Sequence, residues 1–150
     1  MRKLDDSDLH HLGGIPLSIQ DAPRYAYRGL MLDTARHFFS VDYLKKLMDN
    51  LSLAKFSVLH WHIVDDESFP LDLPSQPTLA KNAAYSAKEV YSSQDALDIV
   101  AYGLKVGIRV IPEFDNPGHA RSLGLDPSFT DIIRCFNKNW YSTVPDAYKV

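Results

Sequence analysis

Five side chains able to carry a proton, carry charge or stack on a ligand stand within seven positions of one segment. They are His60, Trp61, His62, Asp65 and Asp66 in Ser57-Val-Leu-His-Trp-His-Ile-Val-Asp-Asp66. The segment is apolar, β-branched and aromatic, which suits a strand covered on both faces. Alternation along a strand turns His60 and His62 to one side and Trp61 to the other. Burying so many titratable groups is costly unless each has a partner or a task. Two chemistries fit. Two imidazoles from His60-x-His62, joined by Asp115 or His119 from the next strand, would suit zinc with an open position for water. Alternatively, carboxylates could act on sugars. Asp65 and Asp66 are adjacent and diverge, whereas Glu113 and Asp115 share a face and could both reach a pocket. Arg36 would offer paired donors to sugar hydroxyls, with Trp61, Phe38 and Phe39 as a stacking surface. The plainer reading also stands: core histidines satisfied by hydrogen bonds, and aromatics that simply pack.

Elements must hold these residues in place. Residues 1–24 are polar and broken by Gly13-Gly14, Pro16 and Pro23, so they read as a lead-in segment with one short strand, Ile15 to Ile19. Tyr25 to Asp33 is an apolar run ending in a carboxylate, and it reads as the first strand of the domain. Ser40 is placed to cap a helix from Val41 to about Ala54, with Asp42 in its first turn. Val41, Leu44, Leu47, Met48, Leu51 and Ala54 form its apolar stripe. Ser57 to Val64 follows as the second strand. Glu67 to Ser92, with Pro70, Pro74 and Pro77, reads as a long connection with one helical turn, and such loops are usually functional. Ser92 or Ser93 caps a second helix, with Leu97, Val100, Ala101 and Leu104 on its predicted buried face and Gly107 as its stop. Ile108 to Phe114 is the third strand, and Asp115-Asn-Pro-Gly-His119 a tight turn. Ala120 to Val150 shows no period and no repeat.

Strand–helix alternation implies parallel strands joined by helical crossovers. The first turn, Leu32-Asp-Thr-Ala-Arg-His37, has no glycine-rich phosphate cradle, which argues against a nucleotide-binding sheet. Polar residues instead gather where each strand ends: Asp33 and Arg36, Asp65 and Asp66, Glu113, Asp115 and His119. In a β/α barrel that rim carries the active site. The expected fold class is therefore α/β, a partial (β/α)8 TIM barrel comprising the first three strands and their helices. A whole barrel takes about 250 residues, so the 150 residues here are expected to be an incomplete domain.

Composition excludes several classes. The chain is 45% hydrophobic and 23% charged, with a net charge of −3. That is ordinary globular material without a basic field for nucleic acid. No apolar run approaches the roughly 20 residues of a membrane span. The charged start, Met1 to Asp8, has no apolar core and is not expected to act as a signal peptide. The one cysteine, Cys135, cannot form an internal disulfide. Asn50-Leu-Ser52 matches a glycosylation sequon, a weak signal on an expected helix.

Three longer motifs carry a resemblance. Arg28-Gly-Leu-Met-Leu-Asp-Thr-Ala-Arg-His37, Leu59-His-Trp-His-Ile-Val-Asp-Asp66 and Ile108-Arg-Val-Ile-Pro-Glu-Phe-Asp-Asn-Pro-Gly-His119 together resemble the β-N-acetylhexosaminidases of glycoside hydrolase family 20. The resemblance runs from about Pro23 to about Leu123, so 25–150 is expected to be the N-terminal portion of that catalytic barrel. It implies removal of terminal non-reducing N-acetylglucosamine or N-acetylgalactosamine, with the substrate's acetamido oxygen as nucleophile, one of the exceptions to two-carboxylate glycosidase chemistry. No cofactor and no metal are implied. By the same resemblance Arg36 binds sugar hydroxyls, and Asp65, Asp115 and His119 form a supporting network. His62 and Glu113 line or support the same rim. The family's Asp-Glu catalytic pair, in a His-x-Gly-Gly-Asp-Glu type of motif, does not occur among these residues, so no catalytic acid/base is assigned within them. His11-Leu-Gly-Gly14 is only superficially similar. The implied partner is a glycan or glycoconjugate, and the implied location of a full-length parent is lysosomal or secreted, with homo-oligomerisation an option for that parent. A metallohydrolase using His60, His62 and His119, or a non-catalytic carbohydrate-binding remnant, are the competing readings.

Overall fold

The computed structural model describes residues 2–3, 10–11, 14 and 16–130. Cys135, Ile15 and the stretch from 131 to 150 lie outside the described residues. Two short strands, β1 (Arg2–Lys3) and β2 (His10–His11), pair antiparallel. The strand expected up to Ile19 is not formed over its described part. Leu17 and Ile19 are exposed there, and among the described residues no backbone pairs with them as a strand.

The domain proper begins at β3 (Gly29–Asp33) and continues through α1 (Val41–Leu53), β4 (Val58–Val64), α2 (Leu79–Ala83), α3 (Ser93–Lys105) and β5 (Arg109–Phe114). Strands β3, β4 and β5 form one parallel sheet in that order. Strand β3 starts at Gly29, four residues later than the apolar run suggests. Tyr25 and Tyr27 are exposed, and the Arg28 guanidinium fastens this lead-in by donating to the carbonyls of Lys55, Tyr25 and Ala26.

Ser40 caps α1 by accepting from the Tyr43 amide at 3.2 Å. Leu44, Met48 and Leu51 are its buried stripe. Ser92 and Asp95 cap α3 reciprocally, a capping box that satisfies two otherwise orphaned donors. Gly107, at φ +79, follows as the left-handed stop.

The face of α3 differs from expectation. Leu97, Val100 and Leu104 are exposed, and Ile99 and Gly103 are buried instead. Periodicity alone cannot choose between two apolar faces of one helix, and close approach decides here. A Cβ at Gly103 would lie 2.7 Å from both the Ile108 carbonyl oxygen and Val110 Cγ2, so only glycine lets the helix sit this near the sheet. Ser52 Oγ donates to the Val106 carbonyl and Tyr102 to Asp49, which ties α3 to α1.

The core lies between the sheet and these helices. Trp61, Leu59 and Ile63 point into it from β4 and meet Leu44, Met48, Ile99 and Tyr91. Trp61 stands edge-on to Tyr91 at 5.1 Å, and its indole N–H donates to Thr34 at 2.9 Å. Tyr91 donates to the Phe39 carbonyl, and burial pushes its pKa up to about 12. The opposite face of the sheet is open, with Met31 57% exposed on it.

The long connection after β4 contains one short helix, α2, and pairs back through Leu71 with Tyr91. After β5, the expected featureless stretch carries two turns of 3₁₀ helix within its described part, Arg121–Leu125 and Pro127–Phe129. No helix among the described residues is long and apolar enough to cross a membrane.

Candidate active site

Parallel register places Asp33, His62 and Glu113 directly beside one another on adjacent strands. All three therefore project from the open face of the sheet at the carboxyl ends of its strands. A bulge follows at once, because His62 to Val64 of β4 spans a single step, Glu113 to Phe114, of β5. A bulge bends its strand and redirects the next side chain. The next acidic residue is Asp65.

Asp65 is 1% exposed and is the hub of the cluster. Its Oδ1 accepts from the Asp66 amide at 2.6 Å and is ion-paired with Arg36 Nη2 at 2.7 Å. Its Oδ2 faces His62 Nε2 at 2.7 Å. Burial works against its charge, but the Asp66 amide, His62, His119 and Arg36 together hold its pKa below the usual carboxylate value.

Arg36 is drawn in from the turn after β3. Asp33 Oδ1 accepts from the amides of Ala35 and Arg36, which curls the backbone so that the guanidinium returns to Asp33 Oδ2 at 2.9 Å. Arg36 Nε donates to Glu67 at 2.8 Å. Despite some burial, these partners raise its pKa further, so it is a permanent cation.

His119 Nδ1 lies 3.1 Å from Arg36 Nη2 and 3.2 Å from Asp65 Oδ1, and one nitrogen cannot both accept from the first and donate to the second. His119 Nδ1 thus stands between the Arg36 guanidinium and the Asp65 carboxylate. One N–H of Arg36 Nη1 has no partner among the described residues. His119 sits at φ +56, a left-handed conformation that costs about 1 kcal/mol or more in a non-glycine residue.

On the other side of Asp65, His62 Nδ1 meets Glu113 Oε2 at 2.8 Å, and His60 Nε2 meets the same oxygen at 2.5 Å. Asp115 makes no hydrogen bond among the described residues, although a carboxylate oxygen of it lies within 4.8 Å of ligand atoms of His62 and Asp65. Beside the cluster opens a mainly apolar cavity of about 150 Å³, lined by Val64, Phe69, Phe114, Asp115, His119 and Leu123 among others.

Several expectations are altered by this geometry. The trio His60, His62 and His119 does not converge on one point, since His60 is turned to Glu113 and His119 to Asp65. Two other groups, His62–Asp65–Asp115 and Asp65–Asp66–His119, are close enough to share an ion. Both contain Asp65, whose charge is already answered by Arg36 and His62, and a second cation there would be repelled. Trp61 and Phe38 are packing residues and offer no stacking surface. Trp61 is fully buried, and Phe38 lies against Tyr91 at 4.7 Å. Phe39 is stacked on Tyr43. Glu67 escaped the sequence reading of the site, although its place directly after Asp65-Asp66 was a usable signal.

A parallel strand–helix unit with a guanidinium, imidazoles and carboxylates at the carboxyl ends of its strands is how a β/α barrel builds its active-site rim. The family model for the glycosyl hydrolase family 20 catalytic domain matches residues 25–145. This chain belongs to that family. It is 50% identical over 120 residues to the chitooligosaccharidolytic β-N-acetylglucosaminidase of Bombyx mori, covering 80% of this chain and 20% of that protein. Identity to the β-hexosaminidase subunit β of Felis catus is 48% over 122 residues, 81% of this chain and 23% of that one. Among solved structures, the family 20 β-N-acetylhexosaminidase of Streptomyces coelicolor superposes with a TM-score of 0.63 at 40% identity, over 69% of this chain and 22% of that one. The chitobiase of Flavobacterium johnsoniae gives 0.67 at 37% identity, over 73% and 16%. The chain spans about a fifth of the length of the curated relatives it matches.

Proposed function

We propose that these residues form the sugar-binding wall of a β-N-acetylhexosaminidase that removes terminal N-acetylglucosamine or N-acetylgalactosamine from glycans. The observation that carries this reading is the setting of Arg36. Asp33, Glu67 and Asp65 hold the guanidinium on three sides, Nη2 also meets His119 Nδ1, and one N–H of Nη1 has no partner among the described residues. A planar, permanently charged fork fixed at the rim with a donor to spare suits a pyranose hydroxyl, and a lysine in its place could not keep the same three-sided hold. His119, held between Arg36 and Asp65, is placed to meet an acid brought to the same rim. We infer that this acid is the glutamate of the family's Asp-Glu pair, contributed by residues outside these 150. Relatives about five times as long are consistent with that arrangement. The substrate's acetamido oxygen would then act as nucleophile, and no metal or cofactor takes part. The resemblance that underlies this reading also assigns the longer protein to a secreted or lysosomal compartment.

Hydrolysis of nitrophenyl N-acetylglucosaminide by the longer polypeptide carrying this segment tests the reading. Arg36→Lys is expected to lower kcat/KM by roughly tenfold, the loss of a charged hydrogen bond to the sugar at about 1.5 kcal/mol. Undiminished turnover by both Arg36→Lys and Asp65→Asn would sink it.

A further inference from the structure

Outside the wall that faces the sugar, one cluster has no task in the reading above. Glu113, His60 and His62 lie on the open face of the sheet behind Asp65. His62 is 6% exposed, and both of its ring nitrogens point at carboxylates, Nδ1 at Glu113 Oε2 and Nε2 at Asp65 Oδ2. An ionised carboxylate only accepts hydrogen bonds. A neutral imidazole has one N–H and one lone pair, so it would turn that lone pair on one of the two anions at less than 3 Å. A protonated Glu113 could donate from Oε2 to His62 Nδ1 while accepting from His60 Nε2, but the hydrogen bonds from His62 and His60 hold Glu113 below the usual carboxylate value, so it stays ionised near neutrality. The arrangement closes with His62 doubly protonated and both carboxylates ionised.

We propose that Glu113 is a positioning residue for the hexosaminidase site: by keeping His62 an imidazolium it fixes Asp65 Oδ2, so that Oδ1 alone serves Arg36, His119 and the Asp66 amide. The proposal rests on the functional reading for its catalytic consequence, but the charge state of His62 does not. Every group facing His62 bears on it. Glu113 comes from β5, Asp65 from the end of β4 and Asp33 from the end of β3, with Asp115 beyond β5 and His60 two residues back on the same strand. Four of these five are carboxylates. Burial opposes charge on the ring, but the hydrogen bonds to Glu113 and Asp65 outweigh it and raise the His62 pKa above its ordinary value. The hydrogen bond from His62 in turn keeps Glu113 below the usual carboxylate value.

Glu113→Gln separates charge from shape. The amide keeps the size of the side chain and can donate to a neutral His62 Nδ1, which leaves Nε2–H on Asp65 but removes the lock on the proton. Ring-nitrogen NMR of the chain labelled with ¹⁵N-histidine, followed from about pH 5 to 8, the range over which an ordinary imidazole titrates, reads the charge directly. His62 is expected to lose its second proton only above the ordinary imidazole value, and to lose it at a lower pH in the Glu113→Gln variant than in the parent. Turnover by the longer polypeptide reads the consequence. The same substitution should lower kcat about tenfold to a hundredfold at the alkaline end with little change in KM, and much less at the acidic end, where His62 regains its proton. A purely structural role for Glu113 would give a loss that does not vary with pH. That outcome, or a His62 in the unsubstituted chain that titrates at or below the ordinary value near 6.5, overturns the proposal even if the variant fails to fold. A His62 that keeps both protons in a polypeptide without hexosaminidase activity upholds the charge pair and refutes only the functional reading.

Discussion

Asp65→Asn is the most direct test of the cluster as a structural unit. Among the described residues the carboxylate meets the Asp66 amide, His119 Nδ1 and His62 Nε2 at hydrogen-bonding distance and the Arg36 guanidinium as an ion pair. Asparagine is isosteric but supplies one acceptor and one donor group. With its oxygen in the Oδ1 position, its NH₂ opposes His62 Nε2–H at 2.7 Å. Turned the other way, it opposes the Arg36 and Asp66 donors together, which is worse. In the better orientation one charge-assisted hydrogen bond is lost outright, about 1.5–3 kcal/mol. The weakened contact with Arg36 adds little, because that side chain is 40% exposed and its charge is screened. A total near 2–3 kcal/mol should lower the melting temperature by about 4–12 °C in a domain of this size. Near-ultraviolet circular dichroism on heating both proteins at neutral pH measures this. A variant that melts within about 1 °C of the parent would show that Asp65 is not held as described.

Stability should also depend on pH on both sides of neutrality. Asp65, Asp33 and Glu113 have depressed pKa values in the folded chain, so their contribution is present above the unfolded value near 4 and is lost as pH falls through the folded values. His62 has a raised value, so its contribution is full below about 6.5 and is lost as pH rises through the folded value. Denaturant midpoints should therefore peak between about pH 5 and 6.5, and a midpoint still rising at pH 8 would contradict the network. Gly103→Ala should destabilise by about 1–2 kcal/mol, because the clash with the Ile108 carbonyl exceeds the gain in helix propensity; urea denaturation checks this, and a neutral or stabilising effect would show that α3 can retreat from the sheet. The open face and the two unpaired edges of the three-stranded sheet should make the 150-residue chain self-associate, and sedimentation as a sharp monomer at tens of micromolar would count against that.

Much of this was legible before any coordinates. Side-chain alternation in Ser57–Asp66 separates Trp61 from the two imidazoles, and the structure has Trp61 in the core with His60 and His62 on the open face. Ser40 and Ser92 announce the helix starts through local chemistry, and both caps form. What could not be read locally depends on distant residues. The buried face of α3 is chosen by Gly103 meeting Ile108 and Val110, not by the number of leucines on either side. Strand β3 starts only at Gly29, and the Arg28 guanidinium just before it is bound to loop carbonyls, including that of Lys55 on the far side of α1. Within the site, His60-x-His62 looks the same in a metal centre and in a carboxylate-bridged pair. Only the register that sets Glu113 beside His62 distinguishes them.

That register has a consequence for how sequence changes are tolerated. Asp33, His62 and Glu113 occupy one row across three strands that are joined only by long crossovers. Loss or gain of a single residue in the short joints Ala54–Ser57 or Val106–Ile108 would invite a slip by one position, and a slip by one exchanges the two faces of a strand. In β4 it would put Trp61 into the cleft and both imidazoles into the oil. Insertions within the Glu67–Ser92 loop shift no strand and should be absorbed, provided Glu67 stays beside Arg36. The chain thus carries two kinds of joint. One kind is rigid in length, because it keeps the row in line. The other is free to lengthen, and there variants of the same fold can acquire different rims without disturbing the charges beneath.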